Sequence, residues 1–472
     1  MIMRPSILLS GILLAGVTTT TTQAQTKLET WLTDPAKSVY FKEQSAGPLL
    51  ARPASKAPAE TIPVITVDPG RTFQSIDGYG WCLTGGSAQH IMHMSAPARN
   101  NLLKELFQTT GTHIGGSYLR VSIGASDLND HVFSYDDLPA GQTDTALQHF
   151  DLGPDKTEVI PVLKEILAIN PEIKILASPW SAPAWMKTNN DTRGGSLKPE
   201  YYKTYARYIV RYIQEMKKNG IRIDAITIQN EPLHPGNNPS MFMPANEQSE
   251  FISTALGPAF RTAGIATKII IYDHNCDKPE YPISILDDPG AGKFVDGSAF
   301  HLYAGEISAL SKVHDAYPSK NLYFTEQWVG APGNMEKDIA EHVRNLIIGA
   351  TRNWSRNVIE WNLAANSQWQ PHTDRGGCDR CLGALTIDGD KVSRNPAYYI
   401  IAHAAKFVRP GSVRIASDDN AILPNVAFKT PSGRLVLIVL NNTDQPQNFS
   451  IHYRASQAHT SLNGGAVATY IW

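Results

Sequence analysis

Two glutamates in this 472-residue chain stand where a charge is costly, directly after apolar runs. One lies in Ile226-Thr227-Ile228-Gln229-Asn230-Glu231-Pro232, the other in Leu322-Tyr323-Phe324-Thr325-Glu326-Gln327-Trp328. They are 326 − 231 = 95 residues apart, so only the fold can make them neighbours. A facing carboxyl pair can cleave a glycosidic bond. One group protonates the leaving oxygen and the other attends the anomeric carbon. At roughly 5 Å separation the second attacks directly and configuration is retained. The donor needs a raised pKa, from burial or from its neighbour's like charge. Asn230 offers a donor suited to a sugar 2-hydroxyl, and Pro232 fixes the chain just beyond Glu231. The alternative for each glutamate is a structural ion pair.

The elements that must position this pair can be read from the apolar rhythm. Eight short runs read as strands: 79–83, 118–123, 174–178, 224–229, 268–272, 297–301, 321–325 and 357–361. Helical patterns lie between them. Tyr202, Tyr205, Ile209, Tyr212, Ile213 and Met216 recur at three- and four-residue steps, with Gly220 at the stop position. Ile339, Val343, Leu346 and Ile347 repeat the pattern. Eight strands alternating with helices predict an α/β fold, a (β/α)8 TIM barrel over residues 78–404. An open doubly wound sheet is the alternative, but no G-x-G-x-x-G fingerprint is present. Glu231 then ends strand four and Glu326 ends strand seven, which face each other across a barrel mouth.

Other strand ends supply a pocket for a sugar. Strand two gives Arg120 and then Asp127, and strand three gives Trp180. His301 and Tyr303 follow strand six, and Trp361 and Asn362 follow strand eight. Asp127 and the Trp180 indole N–H suit sugar hydroxyls, and Trp361 suits a ring face. For any one of these the plainer reading is core packing, or for Arg120 the orientation of a carboxylate. Trp185 reads as packing. His274, His301 and His372 show no His-x-His or His-Glu-x-x-His spacing, so no metal and no cofactor is expected.

The chain ends read differently. Arg4, the apolar stretch 7–17 and Thr22-Gln23-Ala24 form a signal-peptide pattern over 1–24, with an N-terminal anchor as the alternative. No segment is long enough to span a bilayer. The expectation is a secreted or periplasmic protein. After residue 405 short runs at 413–415, 425–429, 434–440, 447–453 and 466–472 alternate with turn residues and predict an antiparallel sheet. Its second face is expected from residues 25–77, where 62–67 reads as a strand and Asp68-Pro69-Gly70 as a turn. The prediction is a side β-sandwich built from both chain ends. Cys82, Cys276, Cys378 and Cys381 are the only cysteines. For the last pair a loop disulfide, free thiols and a metal site all stay open. A formal charge of −2 gives no basic surface for nucleic acid. Oligomeric state is not legible.

The stretches 74–80, 119–127, 177–189, 229–232, 301–303 and 324–326 together resemble glycoside hydrolase family 30, which includes glucosylceramidases, with residues 62–472 covered in order. The resemblance implies the same barrel and sandwich, retaining hydrolysis, Glu231 as acid/base and Glu326 as nucleophile. It carries sugar contacts onto Asp127, Trp180, Asn230, Tyr303 and Trp361, and places Arg120 and His301 near the carboxylates. The loop 369–383 resembles the branches with β-1,6-glucanases and glucosylceramidase-like enzymes more than the xylanase branch. The expected substrate is an oligo- or polysaccharide, β-1,6-glucan first. Glucosylceramidase, β-xylosidase and β-fucosidase activities are alternatives within the family, and a catalytically dead carbohydrate-binding protein is the alternative of another class.

Overall fold

The computed structural model describes residue 1 and residues 27–51 and 62–472. The segment read as a signal peptide therefore lies outside the described residues, apart from Met1. Eight parallel strands close into a barrel in chain order: Gly78–Cys82, Tyr118–Ile123, Lys174–Pro179, Ala225–Thr227, Lys268–Cys276, Val295–Gly305, Asn321–Glu326 and Ser355–Glu360. They are called barrel strands one to eight below. Helices pack outside. Tyr202–Lys218 follows the expected stripe and stops before Gly220, which has φ +80°. The later stripe begins as the α-helix Met335–His342 and continues as a π-helical segment, Val343–Ala350.

The barrel interior is packed in layers. Tyr118, Leu176, Ala225, Ile270, Ala299, Tyr323 and Ile359, one from each of strands two to eight, form a buried layer. Strand one contributes glycine instead, and the reason is steric. A Cβ on Gly80 would sit 1.8 Å from the Tyr118 carbonyl oxygen. Two residues further along their strands come Arg120, Ser178, Thr227, His301 and Thr325, all buried polar groups. The strand period of two thus sets a polar layer directly on the apolar one.

Strand five breaks this alternation. Ala299 pairs with Tyr272 and Phe300 with His274, which leaves Asp273 as an extra residue, a β-bulge. Tyr272 and Asp273 both have positive φ, +72° and +63°. Tyr272 points outward and packs on Tyr281, while Asp273 turns inward into the polar layer. Strand seven has the same device. Phe300 pairs with Phe324 and His301 with Glu326, which leaves Thr325 unpaired.

Both chain ends build the second unit. Ten strands form one sheet in the order 39–48, 27–34, 467–471, 435–440, 425–429, 413–417, 64–75, 447–453, 456–462 and 50–51. The sheet folds onto itself. Phe449 and Tyr470 belong to strands far apart in that order, yet their rings are 6.2 Å apart, over a shared core with Ile65, Ile451, Leu437 and Val439. The strand read at 62–67 runs on from Val64 to Ser75. The expected turn at Asp68-Pro69-Gly70 is an irregularity within it, since Ala416 pairs with Asp68 and Ile415 with Thr72. Strands 27–34, 39–48 and 456–462 carry too weak an alternation to be read in advance. His403 ties the units together, bonding Thr33 Oγ1 at 2.8 Å and Thr469 Oγ1 at 2.9 Å.

Phe449→Ala should remove a fully buried ring and destabilise the protein by roughly 3–5 kcal/mol. Chemical denaturation checks this. A loss below about 1 kcal/mol would show that the two faces do not share a core.

Candidate active site

Strands four and seven bring the two glutamates together. One oxygen each from Glu231 and Glu326, with a ring nitrogen of His301, lie within 4.8 Å of one another. Glu231 has φ +44°, unusual for a side-chain-bearing residue, and its backbone N–H donates to the Asp273 carbonyl at 3.0 Å. Both carboxyls are more than nine-tenths buried yet border a cavity of about 350 Å³. That cavity is also lined by Asp127, Trp180, His234, Asn237, Asn275, Tyr303, Trp328, Trp361, Cys378 and Cys381.

Of the nine site residues read from the sequence, six line this cavity: Asp127, Trp180, Glu231, Tyr303, Glu326 and Trp361. Arg120 and His301 lie behind it and hold the carboxyls, and Asn230, also outside its lining, bonds Arg120. The Arg120 guanidinium donates to Glu326 Oε2, to Asn230 Oδ1 at 2.6 Å and to Asp273 Oδ2 at 2.8 Å. Asn230 is thereby fixed through its carbonyl oxygen. Tyr303 donates its hydroxyl to Glu326 Oε1 at 2.9 Å. Glu231 has longer contacts, 3.4 Å to His301 Nδ1 and 3.4 Å from Asn237 Nδ2. Trp180 stacks on Trp361 at 5.4 Å, and its buried indole N–H has no hydrogen-bond partner among the described residues. Such a donor awaits a ligand hydroxyl. Trp185 packs, bonding the Asp136 carbonyl and meeting Tyr201 edge-on.

Asp273 was not legible as a site residue, and it is the hub. Its Oδ2 accepts from Arg120, Ser178 Oγ and Thr227 Oγ1, and its Oδ1 from Thr325 Oγ1 and His301 Nε2. His234, Asn237, Asn275 and Trp328 were also missed. His234, Asn237 and Trp328 follow strands four and seven, Asn275 lies on strand five beyond the bulge, and their only signal is nearness in sequence to Glu231, Asp273 and Glu326.

The electrostatics follow from these contacts. Burial opposes the Asp273 charge, but Arg120 and His301 hold its carboxyl far below the usual range. Burial works against an imidazolium at His301, yet the charge of Glu326 and the bond to Asp273 push it up to about 9. Burial and the charges of Glu326 and Glu231 push Asp127 up to about 8. Glu231 and Glu326 carry like charges side by side. Burial raises Glu231, but the His301 bond and charge outweigh it and hold that carboxyl low. Glu326 is raised by burial and by the charge of Glu231, against the pull of His301 and Arg120.

A facing carboxyl pair over aromatic walls at the mouth of a (β/α)8 barrel is a glycoside-hydrolysing site. Comparison with known proteins gives the same class. Residues 76–408 match the glycosyl hydrolase family 30 TIM-barrel domain and residues 411–470 the family 30 beta sandwich domain, and the chain belongs to that family. It is similar to Endo-1,6-beta-D-glucanase neg1 of Aspergillus fumigatus, 35% identical over 81% of this chain and 82% of that protein. It is also similar to lysosomal acid glucosylceramidase of Mus musculus, 30% identical over 87% of this chain and 83% of that protein. A solved endo-beta1,6-glucanase superposes with a TM-score of 0.86 at 32% identity, covering 94% of this chain and 99% of that one. The chain is a glycoside hydrolase.

Activity needs one proton on the pair. Below both ionisations no nucleophile exists, and above both no acid exists, so kcat/KM is expected to be bell-shaped in pH. His301 lowers both carboxyls, so His301→Gln should raise both and move both limbs to higher pH. Limbs that stay put or move to lower pH would contradict this electrostatic reading.

Proposed function

We propose that this enzyme is an exported retaining β-glucanase that hydrolyses β-1,6-glucan, with Glu231 as acid/base and Glu326 as nucleophile. The observation that carries the mechanism is the placement of the two carboxyls within 4.8 Å at one pocket wall. That spacing is well short of the roughly 6.5–9.5 Å that inversion requires to place a water beneath the sugar. Arg120 and Tyr303 both donate to Glu326, which favours its ionised form and fixes its aim. Glu231 keeps looser contacts, so it is free to exchange a proton.

The steps follow from the geometry. A glucosyl ring stacks on Trp361, with hydroxyls on Asp127 and the Trp180 N–H. A Glu326 oxygen attacks the anomeric carbon as the glycosidic bond breaks, and the proton goes to the leaving oxygen from Glu231. Before attack Glu326 is ionised and Glu231 carries the proton, and the positive charge that develops at the anomeric carbon stabilises the Glu326 carboxylate. Water then loses a proton to Glu231 and displaces Glu326 from the sugar. β-1,6-Glucan is supported by the relatives' stated activities and by the loop 369–383. Export is supported by the leader pattern and by a Cys378–Cys381 disulfide.

Azide rescue separates the roles. Glu326→Ala should lose roughly 10⁴–10⁶-fold in kcat and form an α-glucosyl azide from an activated aryl β-glucoside. Glu231→Ala should form the β-glucosyl azide. Exchanged products would reverse the assignment. Wild-type protein should release sugars from β-1,6-glucan faster than from β-1,3-glucan, xylan or glucosylceramide, and a faster release from glucosylceramide would favour the second family reading.

A further inference from the structure

Cys378 and Cys381 are joined by a disulfide, which settles the pairing left open by the sequence; Cys82 and Cys276 are buried free thiols. The bridge closes a separation of three residues, so it restrains the unfolded chain far less than a long-range bridge would. Its effect is local, and its location is the sugar pocket. Both cysteines line the cavity, and they pack with Leu128, Trp180, Trp328 and Trp361 in one apolar cluster.

The bridge also links two sides of that cavity. On one side, Cys378 lines the cavity with Asp127, and the Thr373 N–H donates to the Asp127 carbonyl at 2.9 Å. On the other, Cys381 and Leu382 pair with Gly330 and Val329, which follow Glu326 by a few residues. Arg380 adds a backbone bond, accepting from the Ala331 N–H at 2.8 Å. The loop between has little freedom to compensate. A Cβ on Gly376, whose φ is +144°, would lie 2.4 Å from the Gly236 carbonyl oxygen.

We propose that the Cys378–Cys381 disulfide is a positioning element for substrate. It sets the distance between Asp127 and the segment after Glu326, and its sulfurs form part of the wall against the bound ring. This rests on the reading that Asp127 meets sugar hydroxyls. The Arg120, Asp273 and His301 network contains no cysteine, so opening the bridge leaves the carboxyl pair in place. A dithiol opens it by supplying two electrons and two protons; the S–S bond becomes two thiols and the dithiol closes into its own disulfide.

The test compares oxidised wild type, dithiol-treated wild type and the double variant Cys378→Ser/Cys381→Ser on β-1,6-gluco-oligosaccharides. Alkylation and mass measurement count the opened thiols. Opening should raise KM about tenfold and leave kcat within about twofold, a split that transition-state chemistry would not give. The double variant should carry the raised KM without reductant and gain nothing further from it. If the double variant fails to fold, the dithiol-treated wild type carries the same comparison. An unchanged KM with both thiols alkylated overturns the inference. A parallel fall in kcat and in the thermal midpoint also overturns it, because the bridge would then support the fold alone. Oxidised wild type inactive on every glucan would strike the functional reading instead, and so is distinguishable.

Discussion

The buried carboxylate of Asp273 is the constraint on which the rest of the site depends. It has no solvent exposure, so its charge is tolerable only with full compensation. Five side chains supply that compensation, from strands two, three, four, six and seven, and each is thereby locked. Two of them act on the chemistry. Arg120 spans Asp273, Asn230 and Glu326, and His301 spans Asp273 and Glu231. One buried charge therefore sets the positions and the proton balance of both working carboxyls.

Placing that charge takes a departure from regular strand geometry. Strict alternation along strand five would turn Tyr272 inward after Ile270, leaving a phenol where a carboxylate is needed. The bulge at Asp273 inserts one residue and reverses the facing. The bulge at Thr325 lets two successive residues serve the interior, Thr325 on Asp273 and Glu326 in the pocket. Much of the site was legible from the sequence because Glu231, Glu326, Arg120 and His301 sit on or just after apolar runs whose period is two. Asp273 was not, because a bulge is an exception to that period and leaves no compositional mark here. Strand-end position alone would also mislead. Glu360 ends strand eight but pairs with His342 on the outer side, at 2.8 Å.

The larger architecture shows the same division. Eight barrel strands could be located because each is a short apolar run bounded by helical pattern. The N-terminal strands of the sandwich could not, because 27–34 and 39–48 pair with register shifts and mix charged with apolar residues. The rim was legible in part. Tyr303 and Trp361 sit close to strand ends, whereas His234 and Asn237 owe their places to loop courses fixed by contacts between loops, such as Asn238 with Thr192 at 2.7 Å and with Asp374 at 3.0 Å, and Asn275 sits where the bulge at Asp273 shifts strand five.

The central claim is that this network holds the two carboxyls closer than inversion by water requires, so the sugar passes through a bond to the protein. The stereochemistry of the first product tests it most directly. Hydrolysis of a β-linked gluco-oligosaccharide followed by proton NMR from the earliest time points should show the β-anomer first, with the α-anomer growing in only by mutarotation. An α-anomer formed first would mean single displacement by water, and would contradict the account.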